Sequence, residues 1–153
     1  MDTFWNRARG LVAVVGLVLL TGCVSQPMPG EGGFEAEVPL TNTYWQLHAV
    51  AGEPVADSDA ASEAHLILRD DGMVNGFGGC NAFRGEYEVI NNRNLVFSSM
   101  ASTRRACQNR DNPERALFAA MASTAGVQMG ARRLHLLNSE GETLAEFVAT
   151  RQP

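Results

Sequence analysis

Between Thr43 and Ala149 the chain reads as short runs with an apolar residue at every second position, closed by glycine, asparagine or aspartate. That is the period of half-buried strands. Thr43 to Val50 puts Trp45, Leu47 and Ala49 on one face and Tyr44, Gln46 and His48 on the other, and Gly52-Glu53-Pro54 ends it. Asp57 to Glu63 is small and polar, a loop. Ala64 to Arg69 and Met73 to Phe77 flank Asp70-Asp71-Gly72, a hairpin turn in which glycine can take a positive φ. Gly85 to Ile90 and Leu95 to Ser99 flank Asn91 to Asn94, since asparagine tolerates the left-handed region. Val127 to Met129, Leu134 to Leu137 and Thr143 to Ala149 are three further strands, with turns at Gly130-Ala131 and Asn138 to Gly141.

One segment has a different period. Asn112 offers a helix N-cap, Pro113 a first-turn residue and Glu114 an acid facing the helix dipole. Leu117, Phe118 and Met121 recur at helical spacing, Ala122 and Ala125 complete the stripe, and Gly126 is placed as a C-cap. A helix over Pro113 to Ala125 with its stripe in the core follows. The fold class is therefore mainly β, a small antiparallel barrel-like sheet that closes or nearly closes, with one helix near 113–125.

The start of the chain has other chemistry. Arg7 and Arg9 precede an apolar run, Leu11 to Leu20, and then Thr21-Gly22-Cys23. A positive start, a short apolar run and small residues before a cut form a secretory leader. The run is short of the ~20 apolar residues that a permanent span needs. Leu20-Thr21-Gly22-Cys23 looks like a bacterial lipobox, which makes Cys23 the lipidated first residue of the mature chain; the alternative is an ordinary secretory leader. Two or more acyl chains anchor stably, at ~0.8 kcal/mol per buried CH2. Val24, where aspartate favours inner-membrane retention in similar enteric lipoproteins, points to the outer membrane. Residues 23–39 are rich in Gly, Pro and Glu and read as a flexible tether. The organisation is thus a leader over 1–22, a tether over 23–39 and one domain over 40–150.

Charge narrows the partners. The net charge is −5, and removal of the leader, with its Asp2, Arg7 and Arg9, leaves a mature chain that is more negative by a single charge. An acidic domain is a poor nucleic-acid binder. Every basic residue is arginine, which excludes a Schiff-base lysine or a Ser–Lys dyad. No G-x-S-x-G occurs, and no metal or other cofactor is expected. With Cys23 on lipid, Cys80 and Cys107 remain in an oxidising compartment. An even pair there favours a disulfide worth ~3–4 kcal/mol. Two free thiols or a metal site are the alternatives, though no CxxC spacing and no nearby histidine support metal.

His48, His65 and His135 fall on strand faces opposite Trp45, Leu66 and Leu134 and read as surface imidazoles. Asp70 and Asp71 read as a solvated turn rather than a calcium site. Arg104-Arg105 and Arg132-Arg133 could bind an anion, but exposed arginines at strand ends are the ordinary reading.

The densest cluster is Gly79-Cys80-Asn81-Ala82-Phe83-Arg84-Gly85-Glu86-Tyr87, followed by Thr103-Arg104-Arg105-Ala106-Cys107 and Glu114. Here the glycines allow unusual backbone, Asn81 can bond a turn backbone, and Phe83 and Tyr87 supply apolar area. With Trp45-x-Leu47 before and Leu134-x-Leu136 after, the order resembles the META domain of HslJ-type heat-shock lipoproteins over nearly all of 40–150. Gly79, Cys80, Asn81, Phe83, Gly85, Tyr87, Thr103 and Cys107 carry the motif. Arg105 departs from it, standing where a methionine is frequent. The resemblance implies a β-rich, barrel-like fold with a helix. It also implies links to heat shock, antibiotic tolerance and, in some parasites, virulence, with no enzymatic activity established.

The expected function is therefore a non-enzymatic envelope lipoprotein, facing the periplasm and meeting an envelope protein in a stress response. The alternative is a calycin-like binder of a small apolar ligand at the barrel mouth. An interior filled by Trp45, Phe77, Phe97 and Phe147 opposes that alternative; small interior side chains favour it.

Overall fold

A computed structural model describes residues 38–56, 59, 61–106 and 113–152. The expected leader, Cys23, Cys107 and Asn112 lie outside them. Alternation becomes an antiparallel sheet of nine strands: β1 (Tyr44–Val50), β2 (Glu53–Pro54), β3 (His65–Leu68), β4 (Met73–Phe77), β5 (Ala82–Ile90), β6 (Asn94–Ser102), β7 (Gly126–Gly130), β8 (Arg133–Leu137) and β9 (Thr143–Thr150). Among the described residues one helix, α1 (Glu114–Ser123), joins β6 to β7. The spatial order is β6-β5-β4-β3-β1-β9-β8-β7, with β2 added to β1.

The sheet curls into a half-barrel whose ends meet at one point. There Leu95 N–H donates to Ala125 O at 3.3 Å and Val127 N–H donates to Arg93 O at 2.7 Å. Beyond that point β5 is the one strand beside β6 among the described residues, and α1 lies against β6, β9 and β1. The mainly β, barrel-like fold with one helix follows from the residue pattern.

The inner face carries the core. Trp45, Leu66, Leu68, Val74, Leu95, Leu117, Leu134, Leu136 and Phe147 are fully buried there. At ~1.5–3 kcal/mol per large buried side chain, this face is the main source of stability. Trp45 also donates its indole N–H to Leu40 O at 2.9 Å. Thr43 Oγ1 donates to Pro39 O at 2.6 Å, and Val38 and Leu40 pack against the core.

Three local expectations are corrected. In β1 the pairing with β9 shifts between Leu47 and Ala49, so His48 is an extra, bulged residue. The inward position after Leu47 therefore goes to Val50, and Ala49 is only half-buried. The helix ends at Ser123, and Gly126 is not its cap. Thr124 turns extended (φ −67, ψ 128) and donates its Oγ1 to Ala120 O at 2.7 Å. Ala125 N–H then bonds Leu137 O, pulling Gly126 into β7. Buried Ala120 joins Leu117 and Met121 on the stripe, while Ala122 is exposed. Finally, Phe77 stands on the outer face: it pairs across the ladder with His65 and stacks with it at 6.5 Å. The Asn91-Asn92 turn takes positive φ at both residues, as expected.

Candidate functional site

The motif converges on Asn81, which is 4 % exposed. It sits between β4 and β5, where Gly79 at φ 99 turns the chain and Gly78 N–H bonds Asn81 O at 2.8 Å. Asn81 Oδ1 accepts from Thr103 Oγ1 at 2.9 Å and from Arg105 N–H at 2.7 Å. Its Nδ2 donates to Glu114 Oε1 at 2.8 Å and to Arg105 O at 3.4 Å. Its backbone N–H donates to Glu114 Oε2 at 2.5 Å. A carboxamide has two N–H bonds and two lone pairs, and every one is used. Asn81 thus joins the β4–β5 loop, the chain leaving β6 and the first turn of α1.

Glu114 does more than face the helix dipole: both carboxylate oxygens hold Asn81. Its side chain occupies the space beside Gly78, where an added Cβ would lie 2.7 Å from Glu114 Cγ and 2.9 Å from Oε2. Gly78, buried in the contact, escapes the motif pattern because nothing in the sequence says that residue 114 comes back to it.

Phe83 is buried and meets Phe118 edge-on, at 5.6 Å between centroids and 89° between planes. Gly85 is buried beneath Met100, which occupies the position of a Cβ there. Tyr87 is half-buried and donates its hydroxyl to Arg69 O at 2.6 Å. Burial, then the charges of Asp70 and Asp71, push its phenol pKa up. Cys80 Sγ is 3.6 Å from Asn81 Nδ2 and 3.9 Å from Arg105 O. Its expected bridge partner, Cys107, is outside the described residues. Asn81, Thr103, Arg105 and Glu114 form one hydrogen-bonded unit turned inward, whereas Tyr87 bonds separately to Arg69 O.

A second polar cluster lies on the outer face. Glu63 accepts from Tyr44 OH at 2.8 Å and from Gln46 Nε2 at 2.7 Å. His65 stacks on Tyr44 at 4.4 Å, and its Nδ1 lies 2.9 Å from Glu63 O. Burial first, then the Glu63 hydrogen bond and charge, push the Tyr44 phenol well above its ordinary value. The period-two pattern puts these residues opposite the core, but their clustering depends on register.

The other candidates are dispersed. His48 is exposed and His135 half-buried, on strands that do not bring them together. Asp71 accepts from Met73 N–H at 3.1 Å and pairs loosely with Arg69 at 3.6 Å. Arg104 is exposed, Arg132 donates to Ala149 O at 2.7 Å, and Arg133 reaches Glu146 at 3.8 Å. Among the described residues no three His, Cys, Asp or Glu side chains are placed to hold a metal.

Trp45 and Phe147 fill the interior, whereas Phe97 is half-buried at its margin. A groove of about 430 Å³ runs between β6 and α1, with Phe83, Phe97, Met100, Phe118 and Met121 on its apolar side and Ser98, Ser99 and Ser102 along the strand. The helical stripe, read as core, does not reveal that Phe118 is also a groove wall.

Residues 38–151 match the family model of the META domain. An NMR structure of a protein from Burkholderia xenovorans is similar at 31% identity, covering 73% of this chain and 85% of that one, with TM-score 0.58. Another NMR structure, 24% identical, covers 72% of this chain and 95% of the other at TM-score 0.56. A crystal structure of a duf4847 family protein from Bacteroides vulgatus shares the fold at 14% identity, with coverage of 74% and 96% and TM-score 0.52. No curated protein matches.

Proposed function

The chain belongs to the META domain family, and we propose that it is a non-enzymatic lipoprotein of the bacterial envelope, acting through protein contacts in a stress response. The observation that carries this reading is the inward use of the motif. All four hydrogen-bonding positions of the Asn81 side chain are taken by Thr103, Arg105 and Glu114. A group so engaged has nothing left to offer a substrate. The absence of lysine from the sequence further narrows covalent chemistry.

The calycin-like alternative draws no support from the interior, where Trp45 and Phe147 are fully buried. Recognition is then a matter of the outer surface and the groove margin. The lipobox pattern Leu20-Thr21-Gly22-Cys23 supports attachment to a membrane, and Val24 supports the outer one. The proposed Cys80–Cys107 bridge would tie the loop before β5 to the connection that leads into α1.

Crosslinking in intact bacteria, followed by identification of captured proteins, tests the contact reading. A discrete envelope protein captured by the wild-type chain supports it. Recovery of the chain alone, with catalytic turnover lost on a single polar substitution, contradicts it. Fractionation of Cys23→Ser tests the anchor: release from the membrane fraction is expected, and unchanged fractionation refutes it.

A further inference from the structure

We infer that the edge of β6 that no described strand covers, with the groove beside α1, forms a docking site for one extended polypeptide segment, uncharged along the groove and bearing an acidic residue at the Ser102 end. The inference rests on the protein-contact reading above and names the surface and the chemistry of the partner.

The backbone comes first. β6 is nine residues long and pairs with β5 on one side only. In an antiparallel ladder, alternate residues turn their main-chain groups to opposite sides. Leu95 turns its N–H away from β5, to Ala125 O. Phe97 has the same parity before the bulge near Ser99, so its N–H and C=O open toward α1. β6 reads Asn-Leu-Val-Phe-Ser-Ser-Met-Ala-Ser, with no charge and no proline, and the bulge near Ser99, at φ 51, is what interrupts its edge. What satisfies such an edge is another extended backbone.

The groove supplies side-chain contact. Phe97, Phe118 and Met121 give an apolar floor, and Met100, 39 % exposed, lies over Gly85 as an adaptable wall. A charged side chain would lose its hydration on this floor without gaining a partner.

Charge fixes the orientation. α1 runs antiparallel to β6, because Ala125 lies beside Leu95 while Glu114 reaches the Asn81 loop next to Thr103. The Ser102 end therefore meets the helix N-terminus, where the Glu114 carboxylate already faces the positive end of the dipole, so the attraction there comes from arginine. Arg84, paired with Ala101, lines the hollow around Ser102 and Thr103. Arg115 shares a helix face with Phe118, three residues on. Of the nearby acids among the described residues, Glu114 is held by Asn81 and Glu86 accepts from Ser99 Oγ at 3.2 Å. This end favours a carboxylate. Antiparallel pairing, the more stable kind, puts that acidic residue before the apolar run of the partner.

The test is fluorescence anisotropy of the purified full chain with a labelled peptide of ~8 residues, alternating valine and threonine after an N-terminal aspartate. Saturable, salt-sensitive binding is expected, about tenfold weaker when lysine replaces the aspartate. N-methylation of the amides facing β6 should abolish binding, while methylation of the opposite set should leave it. Ala122→Glu, at an exposed helix position, should block the groove, and Arg84→Glu should reverse the preference for aspartate. Absence of binding up to millimolar peptide, or equal tolerance of both methylation patterns, overturns the inference. A dimer in sedimentation that Ala122→Glu dissolves assigns the edge to a second copy and also overturns it. Should crosslinking capture a partner that Ala122→Glu does not release, the contact reading stands and the groove assignment falls.

Discussion

Asn81 and Glu114, 33 positions apart, are joined by two hydrogen bonds, one from the Asn81 backbone N–H and one from its side-chain amide. The first closes the turn into β5 and the second pins the start of α1. One carboxylate thus fixes the helix against the sheet where no described strand covers the outer edge of β6. The groove exists because the helix is held there.

Gly78→Ala tests how closely Glu114 is fitted. The new Cβ would lie 2.7 Å from Glu114 Cγ, so the carboxylate must move off Asn81. We expect a loss of about 2–3 kcal/mol, above the usual surface substitution, from the displaced bonds to a buried group. Urea unfolding measures the loss, and a shift of the Asn81 amide resonance locates it. A variant within ~0.5 kcal/mol of wild type would show that the loop gives way freely.

Trp45→Phe removes the indole donor to Leu40 O and some of a fully buried ring. The expected cost is about 2–3 kcal/mol, a bond and a cavity together. Hydrogen exchange should quicken around Thr41 and Thr43 first, because the segment from Val38 is held by this bond and by Thr43 Oγ1. Uniform acceleration throughout the domain would disprove that localisation.

Alkaline stability should depend on Tyr44 and Tyr87. Both phenols have raised pKa values in the fold, so the folded chain retains their protons better than the unfolded one. Their stabilisation is complete below the unfolded phenol pKa of ~10 and is lost as pH rises above it through the folded values. Thermal midpoints should therefore fall above about pH 10, and the fall should be shallower in Tyr44→Phe. An identical slope in the variant would remove Tyr44 from the explanation. At neutral pH the same variant should cost about 1 kcal/mol for the Glu63 bond.

Thiol labelling of the unfolded, unreduced chain should modify neither Cys80 nor Cys107 until a reductant is added. Labelling of both without reductant would rule out the bridge. With the bridge in place, the chain between Cys80 and Cys107 is a closed loop even when unfolded, so removal of the bridge should lower stability by ~3–4 kcal/mol.

Strand periodicity makes most of the sheet legible, because alternate residues such as Leu66 and Leu68 report directly which face is buried. It fails where an extra residue changes parity. His48 is a bulge, and no local signal distinguishes it from a paired strand residue, so Val50 rather than Ala49 takes the inward place. Gly126 fits a C-cap by composition, yet its position is decided by Leu137 and Arg93, which are remote in sequence. Asn81 is visible as a polar residue among glycines. Its partnership with Glu114 is not, because hydrogen-bond geometry across 33 positions leaves no periodic trace.

A double-mutant cycle of Asn81→Ala and Glu114→Ala, read by urea unfolding, is the most direct test of the motif as an internal clamp. We predict that each single variant is destabilised and that the pair is coupled by about 1–2 kcal/mol, because either change alone orphans the other's partner. Additivity within ~0.3 kcal/mol would contradict the account, since independent side chains cannot be the joint that holds α1 to the sheet.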